Sequence, residues 1–205
     1  MTAGVGDALE PSPWNLANAL TVFRLVLVPC FAVFLWLSEG NAASWLVAAA
    51  GVFVAGIVTD YYDGALARSR GTVTSFGKLA DPIADKALTG TALVGLCLLN
   101  LLSWPVAVII VIREVGVTAL RFVVIRRGII AASWGGKAKT ALQMLAIAWY
   151  LWPWQAMASW LHDTVGFGSS LHVLSDIGPP LMALAVAVTV ITGLDYVRQA
   201  WKMRQ

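Results

Sequence analysis

Charge is in short supply in this sequence. Aspartate, glutamate, lysine and arginine together make up 12% of its 205 residues, against about 25% in an ordinary soluble domain. The shortage excludes a water-facing surface over most of the molecule and points to lipid as the solvent for most side chains. Alternating apolar and polar runs, which a transmembrane barrel requires, are also missing. The apolar runs are long and continuous, with 59% hydrophobic residues, so an all-α integral membrane protein is expected. Cysteine is scarce as well. Cys30 and Cys97 both fall inside apolar runs, which excludes a disulfide framework or metal motif and predicts two buried, reduced thiols. Residues 1–13 hold no lysine or arginine. A cleaved secretory signal needs a basic start, so a short flexible tail is expected there, followed by one catalytic domain over 14–205.

The basic residues that are present sit beside apolar segments. The net charge is +3, and anionic lipid headgroups and phosphate-bearing substrates fit that placement better than nucleic acid does. Six spans of about 20 residues, the length that crosses a bilayer core, are predicted near 18–37, 43–67, 76–101, 104–126, 137–154 and 177–197. Glycine, asparagine and proline mark the breaks between them. With six spans the connections alternate sides. The set 38–42, 101–104 and 155–176 contains no lysine or arginine, whereas Arg68, Arg70, Lys78, Arg126, Arg127, Lys137, Lys139, Arg198, Lys202 and Arg204 fall on the opposite face. The positive-inside rule makes that basic face, and both termini, cytosolic. Tryptophans agree: Trp36, Trp45, Trp104, Trp152, Trp154 and Trp160 mark outer ends, and Trp14, Trp134 and Trp201 inner ends, as an aromatic belt requires.

Against this apolar background stand four aspartates. The second span closes on Asp60, Tyr61, Tyr62, Asp63 and Gly64, and the third opens through Gly77, Asp81 and Asp85. Spacings of three and four put each pair on one helix face, and a short link makes the two helices antiparallel neighbours. A charge near the membrane core costs about 2.5–3.5 kcal/mol even on a lenient scale, and four carboxylates together repel one another. Divalent cations resolve the conflict, since carboxylate oxygens suit Mg2+ or Mn2+ and such ions share their shell with phosphates. Gly64 and Ala67 leave room for a bulky polar group between helices. Arg68 can take a phosphate in bidentate fashion, and Gly77 allows close approach where the third helix starts.

The pattern Asp60-x2-Asp63-Gly64-x2-Ala67-Arg68-x8-Gly77-x3-Asp81-x3-Asp85 resembles the signature of the CDP-alcohol phosphotransferases at every position. The resemblance implies that family's six-helix fold and a site facing the cytosol from the bacterial inner membrane. It implies that Asp60, Asp63 and Asp81 hold two divalent ions and that Asp85 is the general base and also touches a metal. It assigns Gly64, Arg68 and Thr74 to the CDP group, and a homodimer is typical of the family. An incoming hydroxyl would attack the phosphorus that bears the lipid. That chemistry is sound on first principles: two ions can clamp a diphosphate, and a carboxylate can take the hydroxyl's proton.

The acceptor must be read elsewhere. Arg113 and Arg121 share a face of the fourth span, Glu114 lies beside Arg113 and near Thr118, and Lys137 and Lys139 follow in the next inner segment. An arginine within a span by default faces a polar cavity; the lesser reading of Arg113 is a structural pair with Glu114, and inner-end lysines orient many helices without binding anything. Together Arg113, Arg121, Lys137 and Lys139 would suit an acceptor that itself carries phosphate. The segments REVGVTALR and GGKAKT, with the opening Asn18-x2-Thr21-x2-Arg24, are similar to the bacterial branch of the family that uses CDP-diacylglycerol and sn-glycerol 3-phosphate. That likeness adds Asn18, Thr21, Ala67 and Gly77 to the residues expected around the CDP-lipid. Arg24 is an interface anchor or a site residue with equal weight, and His162 and His172 are expected at the surface. The same chemistry with inositol phosphate, or with phosphatidylglycerol as in cardiolipin synthesis, stays open. A cation transporter using intramembrane carboxylates is the alternative of another class, disfavoured by the absence of an internal repeat.

Overall fold

The computed structural model describes residues 16–39, 43–70, 74–124, 134–165 and 172–202. The tail expected over 1–13 lies outside them. Eight helices and no strand occur among the described residues: α1 (Leu16–Ser38), α2 (Ala43–Arg70), α3 (Ser75–Leu98), α4 (Trp104–Val124), α5 (Trp134–Leu151), α6 (Trp154–Val165), α7 (His172–Ser175) and α8 (Gly178–Lys202). Three stretches among them are long and apolar enough to cross a membrane: Asn18–Ser38, Ala43–Tyr62 and Val173–Lys202. The chain is a helical membrane protein. Helices α3, α4 and α5 fall close to the other expected spans along the chain.

Helix ends follow local chemistry. The helix α3 stops short of the predicted boundary because Asn100 adopts φ 57°, and the amides of Leu101 and Leu102 turn back onto the Leu96 carbonyl at 2.9 and 3.1 Å. An asparagine in the left-handed region is a common way to end a helix. The helix α1 ends with the Ser38 hydroxyl donating to the Leu35 carbonyl at 2.6 Å and with Glu39 at φ 45°.

The segment 155–176, read from sequence as an outer loop, contains α6 and α7. In α6 Trp154, Met157, Ala158 and Leu161 turn inward while Gln155, Trp160, His162 and Asp163 face outward. Its 12 residues are too few to span a bilayer, so a search for spans passes over it. His162 is exposed as expected; the side chain of His172 lies outside the described residues. Trp36, Trp104, Trp160 and Trp201 are exposed, as belt residues are. Trp154 is turned inward instead: its ring lies tilted against that of Trp149, centroids 4.6 Å apart, and its indole N–H donates to the Trp149 carbonyl at 3.0 Å. The Trp149 indole in turn donates to Leu174 O at 2.8 Å, tying α5 to α7. One expectation is overturned: Cys97 is buried, but Cys30 is exposed. An apolar run that faces lipid exposes every residue on its outer side, so membership of the run does not imply burial.

Packing divides the helices into two groups. The helices α1, α2 and α3 pack together, α8 packs on α4 and α5, and thinner contacts of α2 and α3 with α5, and of α3 with α4, join the groups. Phe31, Phe53, Leu88, Leu96, Ile110, Ile147 and Met182 are wholly or almost wholly buried in this core. Lipid removes much of the hydrophobic drive for helix association, so close packing through small residues takes its place. Gly56 is one such position. A Cβ there would overlap the Leu88 side chain, and its absence lets α2 approach α3 close to Asp60 and Asp85.

Candidate active site

Between the two helix groups lies a cavity of about 900 Å³. One wall presents Asp60 from α2 and Asp85 from α3; the other presents Arg113 and Glu114 from α4 and Lys137 and Lys139 from α5. Thr192 and Tyr196 of α8 also line it, as does Lys86 of α3. Carboxylates and cations open onto one cavity in a protein otherwise poor in charge.

Asp60 is 48% exposed, and its carboxylate meets the Arg24 guanidinium at 2.7 Å, with the arginine 1% exposed. Arg24 is therefore turned to the site and is no interface anchor. A fully buried arginine needs a counter-charge, and Asp60 supplies one. Thr21, one turn earlier on α1, is also buried. Asn18, another turn back, accepts a hydrogen bond from the Thr74 hydroxyl at 2.9 Å. That contact ties the start of α1 to the residue just before α3. Thr74→Val is expected to cost about 1 kcal/mol of stability, the worth of one such bond, and Thr74→Ser clearly less. Equilibrium unfolding in mixed micelles measures both.

The cationic wall is organised by Glu114. Its carboxylate accepts from Lys139, in a very short contact, and from Arg113 at 3.4 Å. Lys139 is 4% exposed, whereas Lys137, two positions earlier, is exposed. Two residues along a helix turn the side chain by more than half a circle, which separates their environments. Thr118 does not bond the Glu114 side chain; its hydroxyl donates to the Glu114 backbone carbonyl at 2.7 Å. Arg113 also reaches α8, where its Nε donates to Thr189 O at 3.2 Å and its Nη2 to the Thr192 hydroxyl at 3.0 Å. A smaller cavity of about 90 Å³ adjoins Asp85, Glu114, Lys139 and Gln143.

The helices α2, α3 and α4 run through positions 63, 64, 67, 68, 77, 81 and 121. The side chains of Asp63, Gly64, Ala67, Arg68, Gly77, Asp81 and Arg121 lie outside the described residues. Among the described residues no group of three metal-ligating side chains occurs. Asp60 and Asp85 fit a hard divalent cation by their oxygen donors, by opening onto one cavity, and by lying where α2 and α3 approach.

Comparison with known proteins decides the family. Residues 14–191 match the model of the CDP-alcohol phosphatidyltransferase family. The chain belongs to that family. Among its relatives, a probable phosphatidylglycerophosphate synthase of Mycobacterium tuberculosis is 46% identical over 186 residues, which cover 91% of this chain and 81% of that protein. A CDP-diacylglycerol–glycerol-3-phosphate 3-phosphatidyltransferase of Escherichia coli strain K12 is 40% identical over 146 residues, 68% of this chain and 78% of that protein.

For this CDP-alcohol phosphatidyltransferase, two parts of the cavity escaped sequence reading. Glu114 stood out as polar, but its partner Lys139 lies 25 positions away, too far for any periodicity to connect. Thr192 of α8, which lines the cavity, carries no signal at all, because isolated threonines are ordinary in an apolar span.

Proposed function

We propose that the chain transfers the phosphatidyl group of CDP-diacylglycerol to a hydroxyl of sn-glycerol 3-phosphate and releases CMP. The observation that carries this reading is one cavity with Asp60 and Asp85 on one wall and a buried lysine and a half-buried arginine on the other. The names of the relatives point the same way. The CDP-lipid would lie along Asn18, Thr21, Gly64, Ala67, Arg68, Thr74 and Gly77. Arg113, Arg121, Lys137 and Lys139 would take the acceptor's phosphate, which leaves its free hydroxyl directed toward α3. Asp85 accepts the hydroxyl proton while the oxygen attacks the lipid-bearing phosphorus and the bond to the CMP oxygen breaks. Two divalent cations, Mg2+ or Mn2+, held by Asp60, Asp63, Asp81 and Asp85, would neutralise charge gathering on the diphosphate. Arg24 holds the Asp60 carboxylate in place within the wall.

The same reading places six spans in the bacterial inner membrane, with both termini and the site on the cytosolic side and two copies forming a homodimer. The basic inner segments and the arginine- and lysine-free outer ones support that orientation. A cationic wall also favours inositol phosphate over phosphatidylglycerol as a second acceptor, because it calls for a phosphate monoester. Purified protein given labelled CDP-diacylglycerol and a panel of the three acceptors tests the choice. Turnover is expected to be greatest with sn-glycerol 3-phosphate and to vanish in EDTA. Equal or faster turnover with inositol phosphate overturns the acceptor.

A further inference from the structure

Arg113 reaches the cavity only after being held by a helix that sequence reading leaves without a functional role. Its Nη2 donates to the Thr192 hydroxyl at 3.0 Å and its Nε to Thr189 O at 3.2 Å. The Thr192 hydroxyl donates its own hydrogen to Val188 O at 2.7 Å. A hydroxyl has one hydrogen and two lone pairs, so that bond leaves its oxygen free to accept from the guanidinium. The next residue, Gly193, supplies the space. A Cβ built there would stand 3.0 Å from Arg113 Cγ and 3.4 Å from Nε, closer than side chains tolerate without shifting. The aliphatic stem of Arg113 therefore lies across the bare backbone of α8 while its head is fixed by the threonine one position earlier. Glu114 touches a third nitrogen at 3.4 Å. A planar guanidinium held at several points is fixed in one orientation. An arginine without those anchors would sample many rotamers, and a phosphate would have to restrain it on binding.

We propose that Thr192 and Gly193 of α8 are positioning residues that aim Arg113 at the phosphate of the acceptor and thereby set the affinity for it. The inference rests on the acceptor reading above. Neither residue touches the reacting atoms, so the effect falls on acceptor binding and not on the chemical step.

The test compares Thr192→Val, Thr192→Ser and Gly193→Ala with wild type in detergent, varying sn-glycerol 3-phosphate and CDP-diacylglycerol separately. Valine keeps the shape and removes the accepting oxygen; serine keeps the oxygen. Thr192→Val is expected to raise KM for sn-glycerol 3-phosphate about 10-fold, the worth of a hydrogen bond to a charged group. Its kcat and its KM for CDP-diacylglycerol are expected to stay within about twofold of wild type. Thr192→Ser is expected to restore most of the acceptor affinity, and Gly193→Ala to raise the same KM by displacing the Arg113 stem. An unchanged acceptor KM in Thr192→Val overturns the inference, as does equal loss in the serine variant or a matching rise in both KM values. Failure of the acceptor reading is a separate result: wild type itself would then show no turnover of sn-glycerol 3-phosphate.

Discussion

Asp85→Asn is expected to lower turnover by about 100- to 10,000-fold, the usual contribution of a positioned general base, while the protein folds as before. Asparagine keeps the outline of the side chain and loses the ability to take a proton. The folded state should tolerate the change for a physical reason. Asp85 opens onto two cavities, and an amide is easier to hold in a partly buried site than a carboxylate. The measurement is CMP release from labelled CDP-diacylglycerol, with helical content and elution in detergent followed alongside. A variant that folds and keeps wild-type turnover would remove Asp85 as the base. The same result would reopen the transporter reading, in which a carboxylate could matter without any transferase step.

A second large effect is expected at Glu114, this time on stability. Its carboxylate sits between Lys139, 4% exposed, and Arg113, with Glu114 itself 26% exposed. Removing one member of a buried ion pair typically costs about 3–5 kcal/mol, because the other charge loses its compensation. Glu114 keeps some contact with water, so Glu114→Leu belongs near the lower end of that range, at about 3 kcal/mol. The double variant Glu114→Leu with Lys139→Met replaces both charges by apolar groups and is expected to recover most of the loss. It should still bind sn-glycerol 3-phosphate poorly, since the lysine proposed to meet its phosphate is gone. Stability and acceptor affinity would thus separate in one pair of variants. A Glu114→Leu protein that unfolds within about 0.5 kcal/mol of wild type, the range of an ordinary surface change, would sink the ion-pair account.

The parts of the molecule that were legible in its sequence share one property: they are local. Continuous apolar runs announced membrane helices, and the cores of α1, α2 and α8 meet the length and apolarity that a span demands. Asp60 and Asp85 stand on adjoining helices and open onto one cavity. Their spacing with Asp63 and Asp81 is fixed by helical geometry and a short link, both visible along the chain. Where reading along the chain went astray, the missing variable was direction. Cys30 lies in an apolar run and yet faces outward, while Trp154 turns inward when its composition suits a belt equally well. The short α6 was passed over because nothing about 12 residues signals a span.

The four aspartates, their helices and the family they mark follow from spacing along the chain, because residues three or four apart on a helix meet whatever surrounds them. What surrounds them is a matter of packing. Arg24 could have anchored α1 at the interface; the fold buries it against Asp60. Glu114 could have paired within α4 alone; the fold brings Lys139 to it from α5. Arg113 and Thr192 stand 79 positions apart, and only the seating of α8 on α4, permitted by the missing side chain at Gly193, brings them together. Such contacts join faces of different helices, and the angle at which two helices seat is decided by the whole interface between them.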